Sequence, residues 1–145
     1  MTILPLTIRN CTWQDYRYCY TLTKKNMFHY FEKYCGGWKP NGFRDNFNPR
    51  HTKMIIKNQR RIGYYVVKIK KSVHYIDNIQ ISASMRGKGL GAYILNIIEK
   101  QTLRSKNHRI QLTVFKDNPA RRLYERLGYK IIRDKGSSIL MQKRI

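Results

Sequence analysis

One segment, from Ile79 to Gly91, constrains the fold more than any other part of the sequence. It reads IQISASMRGKGLG: β-forming residues, a short turn, then glycines at 87, 89 and 91 that open a helix. Glycines let backbone amides approach a ligand closely, and a helix start presents unpaired N–H groups. The segment therefore predicts a strand, turn and helix whose junction binds a diphosphate, with Arg86 and Lys88 adding charge. A turn and helix cap without any ligand is the structural alternative.

Two common nucleotide-binding motifs do not fit this segment. A dinucleotide-binding fingerprint requires a third glycine where Ala92 stands, and an acidic residue about 20 positions further on. A P-loop requires Ser or Thr after its Gly-Lys pair, and Lys88 is followed by Gly89. The pattern that does fit is Arg-x-x-Gly-x-Gly, formed by Arg86, Gly89 and Gly91.

The hydrophobic periodicity predicts one α+β domain over residues 1–145 with a mixed sheet. Thr12 is a candidate N-cap for a helical region, and the pair Gly36-Gly37 is expected to end it. The predicted strands cover 6–9, 54–56, 62–69, 73–81, 109–115, 129–133 and 138–142. The predicted helices cover 13–34, as one helix or two, then 89–105 and 119–127, and residues 38–49 are expected to be irregular or a short helical turn.

The chain is strongly basic, with 30 Lys and Arg against 8 Asp and Glu and a net charge of +22. The excess is spread along the whole sequence, so the surface is expected to be cationic and to attract a polyanion. Nucleic acid, an anionic membrane and a phosphorylated cofactor all qualify. A Lys-rich source proteome would explain the charge without a specific partner.

Several classes of protein are disfavoured by what the sequence lacks. Three cysteines without a CxxC pair (Cys11, Cys19 and Cys35) disfavour a disulfide framework, and four scattered histidines disfavour a metal site. The first residues lack the pattern of a secretory signal, and no apolar run approaches the ~18 residues of a membrane span. We therefore expect a cytoplasmic protein with no metal and no membrane partner.

A second motif follows one strand later, Asn118-Pro-Ala-Arg-Arg-Leu-Tyr-Glu-Arg-Leu-Gly-Tyr129. Together with the glycine segment and the strand before it, this motif closely resembles the GNAT family of N-acetyltransferases. The resemblance covers residues 73–132 well and the order of elements over the whole chain. It implies the GNAT fold, an α+β architecture whose central sheet is mixed and mostly antiparallel, with helices on both faces and a splayed parallel strand pair that holds the cofactor.

The resemblance also implies a cofactor, acetyl-CoA, and the residues that hold it. Its pantetheine arm is expected to pair with the backbone of the strand before the loop, and the amide of Ile79 to donate to the thioester oxygen. Core packing of the isoleucine side chains is compatible with this role. The implied cofactor-binding residues are Ile79, Ile81, Arg86, Gly87, Lys88, Gly89, Leu90, Gly91, Asp117, Asn118 and Tyr124.

Aminolysis of a thioester needs a neutral amine and a proton for the departing thiolate. By the resemblance, Tyr124 is the acid, because a phenol with a pKa of about 10 stays protonated at neutral pH; packing with an idle hydroxyl is the alternative. Asp77 is the candidate base, because it shares one face of the strand with Ile79 and Ile81. A water chain, with Asp77 in a structural ion pair, is the alternative.

The sequence departs from the family pattern seven residues before Tyr124, where Asp117 stands in place of an asparagine and Asn118 follows one step late. The resemblance leaves open which of the two bonds the pantetheine amide, and an N-cap role for Asn118 competes.

The expected function is direct acetyl transfer to a primary amine in a ternary complex, by an enzyme that is homodimeric in many relatives. The amine acceptor is not specified by the sequence. An aromatic N-terminal region (Trp13, Tyr16, Tyr30, Phe31, Tyr34, Trp38, Phe43 and Phe47) is expected to provide part of its site, with core packing as the competing role. Two alternatives stay open: a nucleic-acid-associated protein, and an inactive CoA-binding protein on the same fold.

Overall fold

The computed structural model describes residues 5–145, which form seven strands and four α-helices. The strands belong to one mixed sheet of order β1-β2-β3-β4-β5-β7-β6. The strands are β1 (Thr7–Asn10), β2 (Thr52–Lys57), β3 (Arg60–Lys70), β4 (Val73–Ile81), β5 (Arg109–Phe115), β6 (Lys130–Asp134) and β7 (Ser138–Arg144). The helices are α1 (Tyr16–Tyr34), α2 (Pro40–Asn46), α3 (Leu90–Arg104) and α4 (Ala120–Arg126).

This architecture confirms the predicted fold class and the predicted order of elements. The helical region before Gly36 is one helix of 19 residues, entered through a 3₁₀ turn that Thr12 caps. Residues 38–49, expected to be irregular or a short helical turn, contain a seven-residue helix, α2, which begins with Pro40 at its first position. Proline suits that position because its missing N–H has no partner in the helix there.

The Cα positions divide the chain into two compact units. Unit 1 comprises Met1–Val66 and Asn78–Lys88, and unit 2 comprises Val67–Asp77 and Gly89–Ile145. β3 and β4 each contribute to both units. That the chain forms a single acetyltransferase domain stays a prediction.

In unit 1, three strands pair in antiparallel order and support α1. β1 pairs with β2 from Thr7–Ile56 to Asn10–Lys53, and β2 pairs with β3 as far as Thr52–Val66. The core at α1 is formed by buried residues from three elements (α1, β2 and β3) and two connections: Cys11, Cys19, Leu22, Phe47, Met54 and Tyr64. Burial of these side chains provides the main driving force for packing the helix on the strands.

A buried carboxylate fixes the start of α1. Asp15 accepts two hydrogen bonds of 2.8 Å from the Arg9 guanidinium, one of 2.9 Å from Arg61 Nε and one of 2.9 Å from the Thr12 amide. These donors, Arg9 first, hold the pKa of Asp15 far below its ordinary range. The carboxylate therefore ties β1 and β3 to the helix start at every physiological pH.

Aromatic side chains of α1 and α2 pack mainly on one another. Tyr16 and Tyr20 lie within 6 Å of the Phe43 ring, measured between centroids, and Trp38 Nε1 donates to the Tyr20 hydroxyl at 3.0 Å. This packing favours the core role for most of these rings. Trp13 is the exception, since its side chain is largely exposed.

In unit 2, β5 is the central strand. It pairs with β7 along its full length, antiparallel, from Arg109–Arg144 to Phe115–Ser138. Its parallel ladder with β4 comprises four pairs, from Val73–Arg109 to Ile76–Leu112. β4 continues for five further residues after this ladder ends. A short parallel ladder of this kind is what the resemblance implies for the cofactor strand.

The structure also bears on the expectations about membrane spans, disulfides and metal sites. Within residues 5–145, no helix has both the length and the apolar character needed to cross a membrane. The three cysteines are free. The same residues contain no group of three or more His, Cys, Asp or Glu side chains placed to hold a metal ion. The first four residues, part of the segment in which no secretory signal was expected, lie outside the described structure.

Candidate active site

The end of β4 carries a polar row of side chains on one face. Asn78 Nδ2 donates to the Tyr64 hydroxyl at 2.9 Å, and Asn78 Oδ1 accepts from Gln80 Nε2 at 2.8 Å. Ile79 and Ile81 alternate with these residues and point to the opposite face. Their side chains are half-buried. The role predicted for them uses the backbone, so it is compatible with this packing.

A close approach between β3 and β4 depends on Gly63. A Cβ built at this glycine would lie 2.5 Å from the Gln80 carbonyl oxygen and 3.3 Å from the Ile81 Cα. Both obstacles are backbone atoms, which cannot move aside as a flexible side chain can. Any side chain at position 63 would displace the part of β4 that is predicted to face the cofactor.

The glycine loop has the backbone expected of an anion-binding turn. A 3₁₀ turn at Ala83–Met85 leads to Gly87 and Gly89, with φ angles of 72° and 77°. A Cβ at either glycine would meet nothing within 4 Å, so glycine is required here by conformation and not by space. α3 follows directly, with Gly89 as N-cap and Leu90 fully buried. The junction therefore presents backbone amides at a helix start beside two basic residues.

Asp77, the predicted base, forms an ion pair with Lys68. The distance from Lys68 Nζ to Asp77 Oδ2 is 3.3 Å, and the two side chains are 32% and 41% exposed. An exposed pair of this kind contributes little to stability. The contact matches the structural alternative, and the base role of Asp77 stays a prediction.

The turn into α4 places Asn118 as a cap. Its Oδ1 accepts from the Ala120 amide at 2.9 Å, and its backbone carbonyl accepts from the Arg121 amide at 3.0 Å. The competing structural role is therefore present. The cap uses only the Oδ1 side of the amide, so the Nδ2 donors are compatible with the predicted contact to the pantetheine arm. The choice between Asp117 and Asn118 stays open.

Two buried tyrosines lie together in unit 2. The rings of Tyr124 and Tyr129 meet edge to face, with centroids 5.9 Å apart. Tyr124 is 8% exposed, and burial raises the pKa of its hydroxyl to about 12. Because its pKa is raised, this hydroxyl keeps its proton at neutral pH.

Tyr129 has the same chemistry in a more enclosed position. Its side chain is 2% exposed, and its hydroxyl is the buried polar side-chain group without a hydrogen-bond partner in the described part of the chain. Burial raises its pKa, and the nearby charge of Glu99 adds to the effect. An orphaned hydroxyl costs free energy, so it marks a place where stability is not optimal.

The predicted site residues fall in both units. Those in unit 1 are Ile79, Ile81, Arg86, Gly87 and Lys88, and those in unit 2 are Asp77, Gly89, Leu90, Gly91, Asp117, Asn118 and Tyr124. The structure brings the loop residues into one continuous turn. Along the chain, all of β4 after Asp77 and the 3₁₀ turn at Ala83–Met85 lie between Asp77 and this turn.

The short parallel ladder, the glycine turn and the helix start are the features that the resemblance implies for an acyl-CoA-binding α+β domain. The model of the acetyltransferase (GNAT) family matches residues 7–129. The chain belongs to this family, whose members transfer acetyl groups from acetyl-CoA. A search of curated protein sequences gives no match.

Solved structures with the same fold include several acetyltransferases. The PaiA N-acetyltransferase of Thermoplasma acidophilum, in complex with coenzyme A, is 15% identical with a TM-score of 0.77, covering 98% of this chain and 100% of its own. The ribosomal-protein-S18-alanine N-acetyltransferase of Escherichia coli is 20% identical with a TM-score of 0.76, and the match covers 97% of this chain and 94% of that enzyme's chain. N-acetylglutamate synthase of Neisseria gonorrhoeae, complexed with coenzyme A and N-acetyl-glutamate, is 12% identical with a TM-score of 0.74. The match covers 99% of this chain and 36% of the synthase chain.

Three residues with a clear place in the site were missed by reasoning from sequence. Gly63 and Asn26 contact β4 across 17 and 54 positions of sequence, and no local periodicity signals such contacts. The Tyr129 hydroxyl is unusual only because it has no partner. A glycine within a run of β-forming residues was the one available signal, since it often marks close backbone approach.

Replacing Gly63 with alanine is expected to destabilise the protein by about 2 kcal/mol, because the added methyl collides with the β4 backbone. Gly42→Ala is the matched control. Its Cβ would meet only Lys39 Cβ, at an ordinary 3.5 Å, inside a helix that favours alanine. Urea unfolding measures both variants. Equal stability of the two would contradict the close approach.

Replacing Tyr129 with phenylalanine is expected to raise the free energy of unfolding by about 1 kcal/mol, because it removes a buried hydroxyl without a partner. Tyr64→Phe is the control, since that tyrosine is equally buried but its hydroxyl is bonded to Thr23 and Asn78. The control is expected to lose about 1 kcal/mol. Loss of stability in both variants would show that the Tyr129 hydroxyl has a partner.

Proposed function

We propose that the protein is an N-acetyltransferase that moves the acetyl group of acetyl-CoA directly to a primary amine in a ternary complex. The observation that carries the proposal is the turn from Arg86 to Gly91, with its two left-handed glycines before a helix start. This geometry suits a diphosphate, and it lies in a chain of the GNAT family.

The residues present fit the cofactor. Arg86 and Lys88 supply positive charge beside the amides of the turn, and the buried side chain of Leu90 fixes the helix start. The backbone of Ile79 and Ile81 would hold the pantetheine arm, with the Ile79 amide as donor to the thioester oxygen. Acetyl-CoA supplies an activated acyl group when bound.

The amine must be neutral to attack, and an alkylamine with a pKa of about 10.4 is mostly charged at neutral pH. Asp77 would accept the proton, directly or through water. A water chain leading out from β4 is the alternative route for this proton.

Tyr124 would donate to the departing thiolate. Its side chain is 8% exposed, and burial raises the pKa of its hydroxyl to about 12, so the proton is present at neutral pH. Direct transfer is supported by the state of the cysteines, because Cys11 and Cys19 are buried in the core of unit 1 and Cys35 ends α1. None of the three is placed in the glycine turn or in α4.

The acceptor class is a primary amine. Two structural neighbours differ widely in this respect, since one is a ribosomal-protein-S18-alanine N-acetyltransferase and the other is complexed with N-acetyl-glutamate. A panel for this protein would therefore include peptides with free N-termini, amino acids, polyamines and protein lysine. Release of free thiol from acetyl-CoA in the presence of each amine identifies the acceptor.

Titration calorimetry with acetyl-CoA tests the cofactor assignment. We expect saturable binding with one site per chain, and weaker binding as salt rises, because the ligand is a polyanion and the chain carries +22. Absence of saturable binding up to about 1 mM ligand would overturn the proposed function.

Replacing Tyr124 with phenylalanine is expected to lower kcat by about 10²-fold and to leave the Kd for acetyl-CoA within about twofold, because only the proton donor is removed. Tyr129→Phe is the matched control and is expected to keep kcat. Reversed effects of the two variants would assign the acid to Tyr129. An unchanged kcat in both would exclude a tyrosine acid in α4 and the turn after it.

A further inference from the structure

A row of hydrogen-bonded side chains in unit 1 leads from the core to the cofactor turn. It begins at the buried Tyr64 hydroxyl and passes through Asn78 and Gln80 of β4. Asn26 of α1 then donates its Nδ2 to Gln80 Oε1 at 3.0 Å, and its Oδ1 accepts from a terminal nitrogen of Arg86. The row therefore ends on the first residue of the glycine turn.

The direction of every amide in this row is set by its neighbours. Asn78 donates to Tyr64 and accepts from Gln80, and Gln80 in turn accepts from Asn26. Flipping any one amide would place two donors or two acceptors face to face. Gln80 is buried, so the cost of such a mismatch is high. The Oδ1 of Asn26 is therefore directed at a donor, which Arg86 provides.

Asn26 also holds the end of the cofactor strand. Its Nδ2 lies 3.3 Å from the carbonyl oxygen of Ile81, the last residue of β4. One side chain of α1 thus contacts both the strand end and the arginine five positions later. These are two of the elements that the proposed function assigns to the cofactor.

The chemistry of Asn26 suits an arginine that must bind an anion. Asn26 is neutral, so it orients the guanidinium without cancelling its charge, in contrast to Asp15, which neutralises Arg9 through two hydrogen bonds. Arg86 is exposed and has five N–H donors, of which this contact uses one. The remaining donors face no carboxylate in the described contacts and are available to a diphosphate.

We propose that Asn26 is a positioning residue for the cofactor, because its amide holds the Arg86 guanidinium and the Ile81 carbonyl together. The inference rests on the proposed function. Its physical basis is pre-organisation: an arginine already held in place loses less conformational freedom when a diphosphate binds.

A double-mutant cycle with coenzyme A as the calorimetric probe tests this role, using Asn26→Ala, Arg86→Ala and the double variant. We expect Asn26→Ala to weaken binding about tenfold in the wild-type background and less than about twofold in the Arg86→Ala background. Thr21→Ala, an exposed position on the same helix, is the control and is expected to leave the Kd unchanged.

Two results would overturn the proposal: an unchanged Kd in Asn26→Ala, or an equal loss in both backgrounds, which indicates a structural role only. Wild-type protein that binds no coenzyme A would overturn the proposed function together with this inference. Hydrogen exchange of residues 82–88 in the free protein gives a readout without ligand, and we expect faster exchange in Asn26→Ala.

A second variant covers the case in which alanine at this position prevents folding. Asn26→Asp keeps the shape and the acceptor for Arg86 but loses both donated hydrogen bonds and neutralises the arginine. We expect it to weaken coenzyme A binding at least as much as Asn26→Ala. Binding equal to wild type would contradict the proposal.

Discussion

The early end of the β4–β5 ladder is the constraint on which the rest of the structure depends. The pair Ile76–Leu112 is the last in the ladder between β4 and β5. β4 continues beyond it, so the last part of this strand needs support from other residues. In unit 1 that support comes from β3, the hydrogen-bonded neighbour of β4 in the sheet, with a close approach at Gly63, and from side-chain hydrogen bonds to Asn78 and Gln80. With β3 on one edge and no pair to β5 after Ile76 in the described register, this part of β4 keeps backbone groups for a ligand.

The distribution of charged side chains also favours ligand binding at the glycine turn. The two units carry equal net charges, since unit 1 has fourteen Lys and Arg against three acidic residues and unit 2 has sixteen against five. Five of the eight carboxylates form ion pairs, and none of these pairs includes Arg86 or Lys88. None of these carboxylates neutralises Arg86, which is hydrogen-bonded to a neutral amide. The turn keeps its positive potential, which favours a polyanionic cofactor.

Local signals in the sequence were sufficient for most of the fold. Strict alternation predicted β5 with its observed bounds, and the glycines before Leu90 predicted the start of α3 within one residue. The roles of Gly63 and Asn26 were not predictable, because each acts on β4 through the tertiary structure. The partner of Asp77 could not be predicted for the same reason. A chain with 30 Lys and Arg residues offers many partners, and only the fold brings Lys68 to Asp77.

The state of Tyr124 has a consequence for the proposed chemistry. A phenol with a pKa of about 12 is a weaker acid than a thiol in water, whose pKa is about 8.5, so transfer of its proton to a solvated thiolate is uphill. Burial raises the pKa of a thiol for the same reason that it raises the pKa of the phenol. Tyr124 is therefore an effective acid only while the departing sulfur is as poorly solvated as its own hydroxyl. Exclusion of water around α4 is then a requirement of the reaction, and a half-open site would bind acetyl-CoA without turning it over.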